Sequence, residues 1–491
     1  MPAARARWLS LRDCFDLALG RNLDIQIEHL NTTIAHANLS GAYGAYIPTF
    51  SADARHEFVS QPGDFDSQKF NPDFPYELNA DRIGSSLAGA LPFGLSYDLS
   101  AFGREDNART DFRGGNPNDV AVFPGGIRST NNYFSDARLD LQQHLLRDFW
   151  IDADRERLLL NRKDLKISEQ ALRFQIMKTL LAVELSYYDL IAAREDVRVQ
   201  EKTLELRQQL VAETRRRVEV GDLPPLDSDQ AETQLQNTLT ALTAAREALV
   251  TRQNGLKSLL TDNFRDWADV DLEPADALLA IQAELNRSAG FLSALKNRPD
   301  LIEARVAIEK SDVVVQYRKN QLFPTLDLVG RYGGLGVDTS PGTSFNDALS
   351  FYNQQYFYGV VVSFPLYNLK ERSDYRASKA YKQIAQLQLK KAEDDVLLQV
   401  ADFVNRAQSR FSQVASTRKA RAYAEAALAA EQKKLQNGLS TSFVVLELQE
   451  VLTAARTAEV QAMVDYNKAL AQLAFAEGAT LERNHLTVDL K

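Results

Sequence analysis

Two hydrophobic periods divide this chain of 491 residues. The first is seven: Ile176, Val183, Leu190, Val197, Leu204, Val211 and Val218 follow one another at that interval, and Leu235, Leu242, Leu249 and Leu256 resume it after a break. Such a stripe is a coiled-coil seam, because 3.5 residues per turn keeps one line of side chains facing a partner helix. The break reads Val220-Gly221-Asp222-Leu223-Pro224-Pro225, and a second one reads Asn437-Gly438-Leu439-Ser440. Glycine supplies the left-handed cap that ends a helix, and proline cannot continue one. The spacing therefore predicts long helices over about 152–220 and 370–437, with returning helices over 225–261 and 441–477. Each outgoing helix would be roughly 100 Å long, more than a globular core can house.

The second period is two. Polar Thr49, Ser51, Asp53, Arg55 and Glu57 alternate with Phe50, Ala52, Ala54 and Phe58, just after Pro48 forbids helix. Leu326, Leu328 and Tyr332 alternate with Thr325, Asp327 and Arg331 after Pro324. Tyr133, Ala137, Leu139 and Leu141 oppose Asp136, Arg138, Asp140 and Gln142, and Tyr356, Tyr358, Val360, Val362 and Phe364 form a fourth set. These predict two-faced strands at about 47–60, 132–145, 325–334 and 355–366. Residues 83–102 read as a further hairpin around Pro92-Phe93-Gly94, either in the same sheet or outside it. Gly333-Gly334-Leu335-Gly336 reads as the end of a strand running into a loop.

The order of elements is written twice. Ala18-Leu19-Gly20-Arg21-Asn22-Leu23-Asp24 aligns with Ala294-Leu295-Lys296-Asn297-Arg298-Pro299-Asp300, and the same offset carries Pro48-Thr49 onto Pro324-Thr325. The expected organisation is a disordered segment 1–9, a first repeat 10–290, a second repeat 291–478 and a tail 479–491. The first repeat opens with a helix from about Ser10 to Tyr43 and closes with a side element over 262–290, and the second opens with a helix over 300–321.

The fold class is thus mostly α with membrane β. Apolar strand faces in contact with lipid leave no room for open sheet edges, since unpaired backbone groups in hydrocarbon cost several kcal/mol each. Four strands cannot close a barrel, so two to four copies must share one, with their helical hairpins continuing it as a tunnel. No apolar run is long enough for a membrane-crossing helix. The start, Met1 to Trp8, has no apolar stretch of signal-peptide length, which implies either a removed export signal or a protein that is not exported.

Charge and chemistry then narrow the class. With 57 Lys+Arg against 66 Asp+Glu, interspersed, nucleic acid is not the expected partner. The single Cys14 excludes a disulfide framework and reads as a buried helix residue. Five histidines with no completing ligand set, and no phosphate loop or nucleophile elbow, give no cofactor, metal or enzyme signature. A non-conducting coiled-coil stalk remains the alternative to a channel, although it would have no need of a polar strand face.

The chain resembles the TolC-like outer-membrane efflux proteins. The likeness rests on Asn297-Arg298-Pro299-Asp300-Leu301 leading to Leu322-Phe323-Pro324-Thr325-Leu326, on Ser363-Phe364-Pro365-Leu366, on both glycine tips, and on the tail from Tyr466 to Gly478. It implies a homotrimer sharing an outer-membrane barrel with a helical tunnel in the periplasm, docked to a periplasmic adaptor (membrane fusion) protein and an inner-membrane RND or ABC pump, for efflux or type I secretion. It also implies docking tips at Val220, Gly221, Asp222 and Leu223 and at Asn437, Gly438, Leu439 and Ser440. An acidic gate six and nine residues past each glycine would fall on Asp227, Gln230, Val444 and Glu447, of which Asp227 and Glu447 can carry the charge. Ser440 stands where relatives can carry an arginine that pairs with the Asp227 position.

Overall fold

A computed structural model describes residues 5–62, 64–66, 71–112, 126–221, 224–437 and 439–486. Its elements run β1 (Arg5–Leu9), α1 (Leu11–Arg21), α2 (Leu23–Ala42), β2 (Thr49–Gln61), β3 (Asp64–Asp66), β4 (Asn71–Asp73), β5 (Tyr76–Leu91), β6 (Leu95–Asp111) and β7 (Ile127–His144). Then come α3 (Ala153–Glu219), α4 (Pro225–Leu260), β8 (Val270–Pro274), α5 (Arg287–Asn297), α6 (Pro299–Asn320), β9 (Thr325–Asp338), α7 (Pro341–Leu349), β10 (Asn353–Ser363), α8 (Leu369–Gln436), α9 (Ser442–Ala476) and α10 (Thr480–Arg483). Two compact units result, residues 1–35, 164–307 and 385–491 in one and 36–163 and 308–384 in the other, so each unit draws on both sequence repeats.

In the first unit the heptad seam is the core. Ile176, Val183, Leu190 and Val197 of α3 cluster with Leu242, Leu249 and Leu256 of α4 and with Cys14, Phe15 and Ala18 of α1. Along the second hairpin, Leu428 and Leu435 of α8 meet Val445 and Leu452 of α9. The repeat is visible as one shared break. Asn22 ends α1 in an extended conformation, its N–H donating to Ala18 O, and Arg298 ends α5 the same way on Ala294 O. The helix expected to run unbroken from Ser10 to Tyr43 is therefore two helices, and that expected over 300–321 is preceded by α5. Ser10 caps α1, accepting from the Asp13 N–H while Asp13 accepts from the Ser10 N–H.

Residues 5–9, placed in the segment expected to be disordered, form β1 in parallel with β8, and Arg7 stacks over Trp267 at 4.7 Å. A partner strand distant in sequence orders a terminus that no local pattern marks. The tail likewise contains a helical turn, α10, held by the Arg483 N–H on Ala479 O.

Among the described residues the second unit carries a six-stranded antiparallel sheet in the order β10-β9-β7-β6-β5-β2, which contains the four strands expected from the alternation and two more from the region around 83–102. Residues 83–102 belong to two full strands, β5 and β6, paired from Tyr76↔Thr110 to Leu91↔Leu95 and lying between β2 and β7. The glycines 333–336 are not a loop end: β9 continues to Asp338, and α7, which the sequence did not signal, lies against it. A Cβ on Gly336 would stand 1.7 Å from Ser344 O and one on Gly334 2.2 Å from Ala348 O, so the missing side chains are what lets α7 approach. Ser344 Oγ donates to Gly336 O at 3.0 Å and lies within hydrogen-bond distance of Ser135 Oγ, 2.9 Å away, at that contact.

Candidate functional site

The register gives the sheet two unlike faces. Phe50, Ile83, Leu87, Leu99, Leu141, Leu328, Tyr332, Tyr356, Tyr358 and Val360 share one face and are exposed, Tyr358 at 83% and Ile83 at 71%. On the other face the polar groups pair along and across strands: Arg138 with Asp140 at 3.3 Å within β7, Arg331 of β9 with Asp140 at 2.5 Å, and His144 Nδ1 of β7 in a hydrogen bond with Asp327 of β9 at 2.7 Å. Arg104 pairs with Asp106 on that face of β6. An exposed apolar band backed by an ion-pair ladder is the alternation of a wall between hydrocarbon and water. Pro48 and Pro324 each stand one residue before a strand of this sheet, β2 and β9.

At the hairpin turns, Gly221 has φ +84° and its N–H donates to Val218 O, while Val220 is 74% exposed. Asp222, Leu223 and Gly438 lie outside the described residues. Asn437 N–H donates to Lys433 O, and Leu439 N–H reaches back to Lys434 O at 2.8 Å, which satisfies the last carbonyls of α8. Ser440, standing at the arginine position, donates its hydroxyl to Glu431 at 2.6 Å. That bond and Lys434 hold the Glu431 carboxyl below its ordinary range.

Beyond the turns, α4 and α9 enclose a cleft of about 560 Å³ whose charged lining is Asp229, Glu447 and Glu450, with Leu226, Phe443 and Leu446 beside them. Glu447 is thus brought to a carboxylate cluster, as is Gln230, but Asp227 does not line it and sits in the first turn of α4. The partner carboxylate in the cleft is Asp229, two residues on. Near the cleft lies a residue that sequence reasoning passed over. Arg207 of α3 is 2% exposed and donates weakly to Leu446 O and Glu450, both at 3.4 Å, while its Nε and Nη1 have no hydrogen-bond partner among the described residues. It ends a polar line between α3 and α9: Lys468 donates to Asp189 at 2.5 Å, Thr457 to Asp196 at 3.4 Å, and Thr203 and Thr453 share a bond of 3.0 Å.

No group of three or more metal-ligating side chains occurs among the described residues, and no described helix is long and apolar enough to cross a membrane. Paired long helices with apolar seams, joined in sequence to a two-faced antiparallel sheet, define a protein of the outer-membrane channel fold. The CmeC outer membrane channel of Campylobacter jejuni matches it with a TM-score of 0.68 at 13% identity, over 96% of this chain and 86% of that one.

The chain belongs to the outer membrane efflux protein family, whose model matches residues 149–261 and 292–479. This is a family of efflux channels, not of enzymes. Outer membrane efflux protein BepC of Brucella suis biovar 1 (strain 1330) is 27% identical over 295 residues, 60% of this chain and 62% of that protein. Fusaric acid resistance protein FusA of Burkholderia cepacia is 26% identical over 263 residues, 51% of this chain and 46% of that protein. The chain therefore spans less than two thirds of the length of either relative.

Proposed function

We propose that this chain is one third of an outer-membrane channel-tunnel, the passive exit duct of a tripartite efflux or type I secretion machine. The observation that carries the reading is the sheet: an apolar face, a charged face, and two edge strands, β2 and β10, each with one neighbour among the described residues. Lipid on one side demands that those edges be closed by other copies, and three is the number that the resemblance to the TolC-like channels implies. The helical hairpins would extend the duct into the periplasm, where the turns around Gly221 and Gly438 would meet a periplasmic adaptor delivering cargo from an inner-membrane RND or ABC pump.

The cleft gives the duct a gate. Three copies of Glu447, each with Asp229 and Glu450 at its side, would place carboxylates around a narrow opening, favouring cations through a poorly screened field. Purified protein in a planar bilayer is expected to give discrete conductance steps with cation preference, weakened in Glu447→Ala and Asp229→Ala. No steps under any condition would favour the non-conducting stalk. Steps with an unchanged reversal potential in both variants would remove the acidic gate and keep the duct.

A further inference from the structure

The hairpin β5–β6 is neither a cover nor a loop. It stands inside the sheet, paired to β2 on one side along Thr49↔Ala88 to Gln61↔Tyr76 and to β7 on the other along Leu95↔Gln143 to Asp111↔Ile127. Its side chains keep the two faces of their neighbours. Ile83, Leu87 and Leu99 extend the exposed apolar band, and Arg82, Arg104 and Asp106 extend the charged face. Gly103, on the apolar side, would carry a Cβ into open space among the described residues, within a cavity that it and Ile83 line together with Pro341 and Phe345 of α7. Strands that only decorated a narrower barrel would not need both faces.

From this placement we infer that the hairpin widens the wall: three six-stranded sheets close an eighteen-stranded barrel, so the outer-membrane segment is a wide, water-filled pore that does not limit cargo size. The inference rests on the three-copy barrel proposed above and adds its bore. With strands about 4.8 Å apart and tilted about 40°, eighteen strands give a backbone diameter of roughly 36 Å, against roughly 24 Å for the twelve that four strands per copy would supply. Barrels of sixteen to eighteen strands leave an aqueous channel, on the order of 20 Å across here once the inward side chains are allowed for. The ion-pair ladder suits such a bore, since Arg138, Asp140 and Arg331 remain 28–35% exposed within the sheet and need water rather than a packed plug. Selection by size then falls to the gate between α4 and α9, and the cargo class admitted by the barrel reaches hydrated oligomers and small folded chains.

Two measurements on the full chain test this. Ser51 and Ser86 face each other across β2 and β5 with their hydroxyl oxygens 2.7 Å apart. In the variant Ser51→Cys/Ser86→Cys an intrachain disulfide is expected to form in assembled channels, which keep their conductance. Cys14 is buried and its thiol is pushed up to about 12 by that burial, so it does not interfere. Polyethylene glycols of graded size are then added to the barrel side of a planar bilayer, where those up to about 20 Å across are expected to enter and lower the conductance. A conducting trimer in which the cysteines stay reduced, or in which polymers of half that width are already excluded, would overturn the wide pore while leaving the duct intact. Failure to form any conducting trimer would overturn the duct itself, and the wide pore with it.

Discussion

Burial pushes the Glu303 carboxyl on α6 up to about 7, and the negative charges of Asp300 and Glu28 act in the same direction. A carboxyl raised above its ordinary value of 4.5 binds its proton more tightly in the folded chain than in the unfolded one. Its contribution therefore favours folding below about pH 4.5, is lost as the pH rises through 7, and is level above that. Glu303→Gln removes the titration. It is expected to raise stability at pH 8 relative to pH 5 by about 1 kcal/mol compared with the unaltered protein, a full conversion being reduced by solvent around a half-buried group. Melting curves at the two pH values check this, and parallel shifts at both would refute the assignment. At this scale the sequence was informative where a residue acts on its own backbone: Ser10 as a cap, Gly221 at its turn, Pro48 and Pro324 before their strands. It was poorer where a side chain must face a second helix. Counting from Gly221 selects Asp227, but positions two apart on a helix point about 200° away from each other, so Asp229 and not Asp227 can line the cleft.

Among the elements, the long hairpins were readable because apolar seams announce their period, and each seam residue from Ile176 to Val197 is buried. The contact between α3 and α9 was not, although Asp189, Asp196 and Thr203 are also seven apart. A polar line at heptad spacing looks like a solvated face until its partner helix is known. That line gives the two hairpins a contact of hydrogen bonds and ion pairs instead of interlocked apolar side chains. Arg207 is its costliest member, since burial lowers the hold on its proton and two of its nitrogens have no acceptor among the described residues. Replacing a buried ion pair by apolar chains is often neutral or stabilising, by about 1 to 4 kcal/mol, and removing one partner is costly only where the other is left buried, whereas Glu450 is more than half exposed and keeps its water. Arg207→Met is accordingly expected to melt no lower than the parent protein, and a fall equivalent to more than about 2 kcal/mol would show that the pair with Glu450 is a net stabilising contact. The turn at Gly221 belongs to the same scale. Valine there meets a left-handed backbone that costs about 1 to 2 kcal/mol, local to a tip that makes no seam contact. Gly221→Val should leave the conductance of the isolated channel unchanged while lowering export in cells, and export at the full rate would mean that this tip does not dock the adaptor.

For the whole molecule, alternation along the strands showed which faces are apolar and charged but not which strand lies beside which, because a period of two is satisfied by any pairing that keeps the faces aligned. That is why β5 and β6 could be seen as strands and yet not placed, and why their position between β2 and β7 changes the count from which a barrel must be built. The same topology leaves β10 with one neighbour among the described residues, β9, so every second N–H from Asn353 to Ser363 faces outward with no described strand to receive it. Tyr356, Tyr358, Val360 and Val362 are exposed along that strand, and a long, flat, apolar edge is also a template for aggregation. Closure against β2 of the next copy answers both problems, pairing the outward amides and burying none of the apolar band that lipid must cover. Amide hydrogen exchange on the detergent-solubilised protein reads this residue by residue. In a closed barrel all amides of β10 exchange slowly, the outward-facing set as slowly as the set bonded to β9. If the outward set exchanges as fast as an unstructured peptide while the inward set stays protected, the edge is open and the shared barrel does not exist. A mass of three chains of 55.0 kDa in the same sample makes slow exchange attributable to closure. A mass of one chain with both sets protected would instead require β10 to find its second neighbour within its own chain.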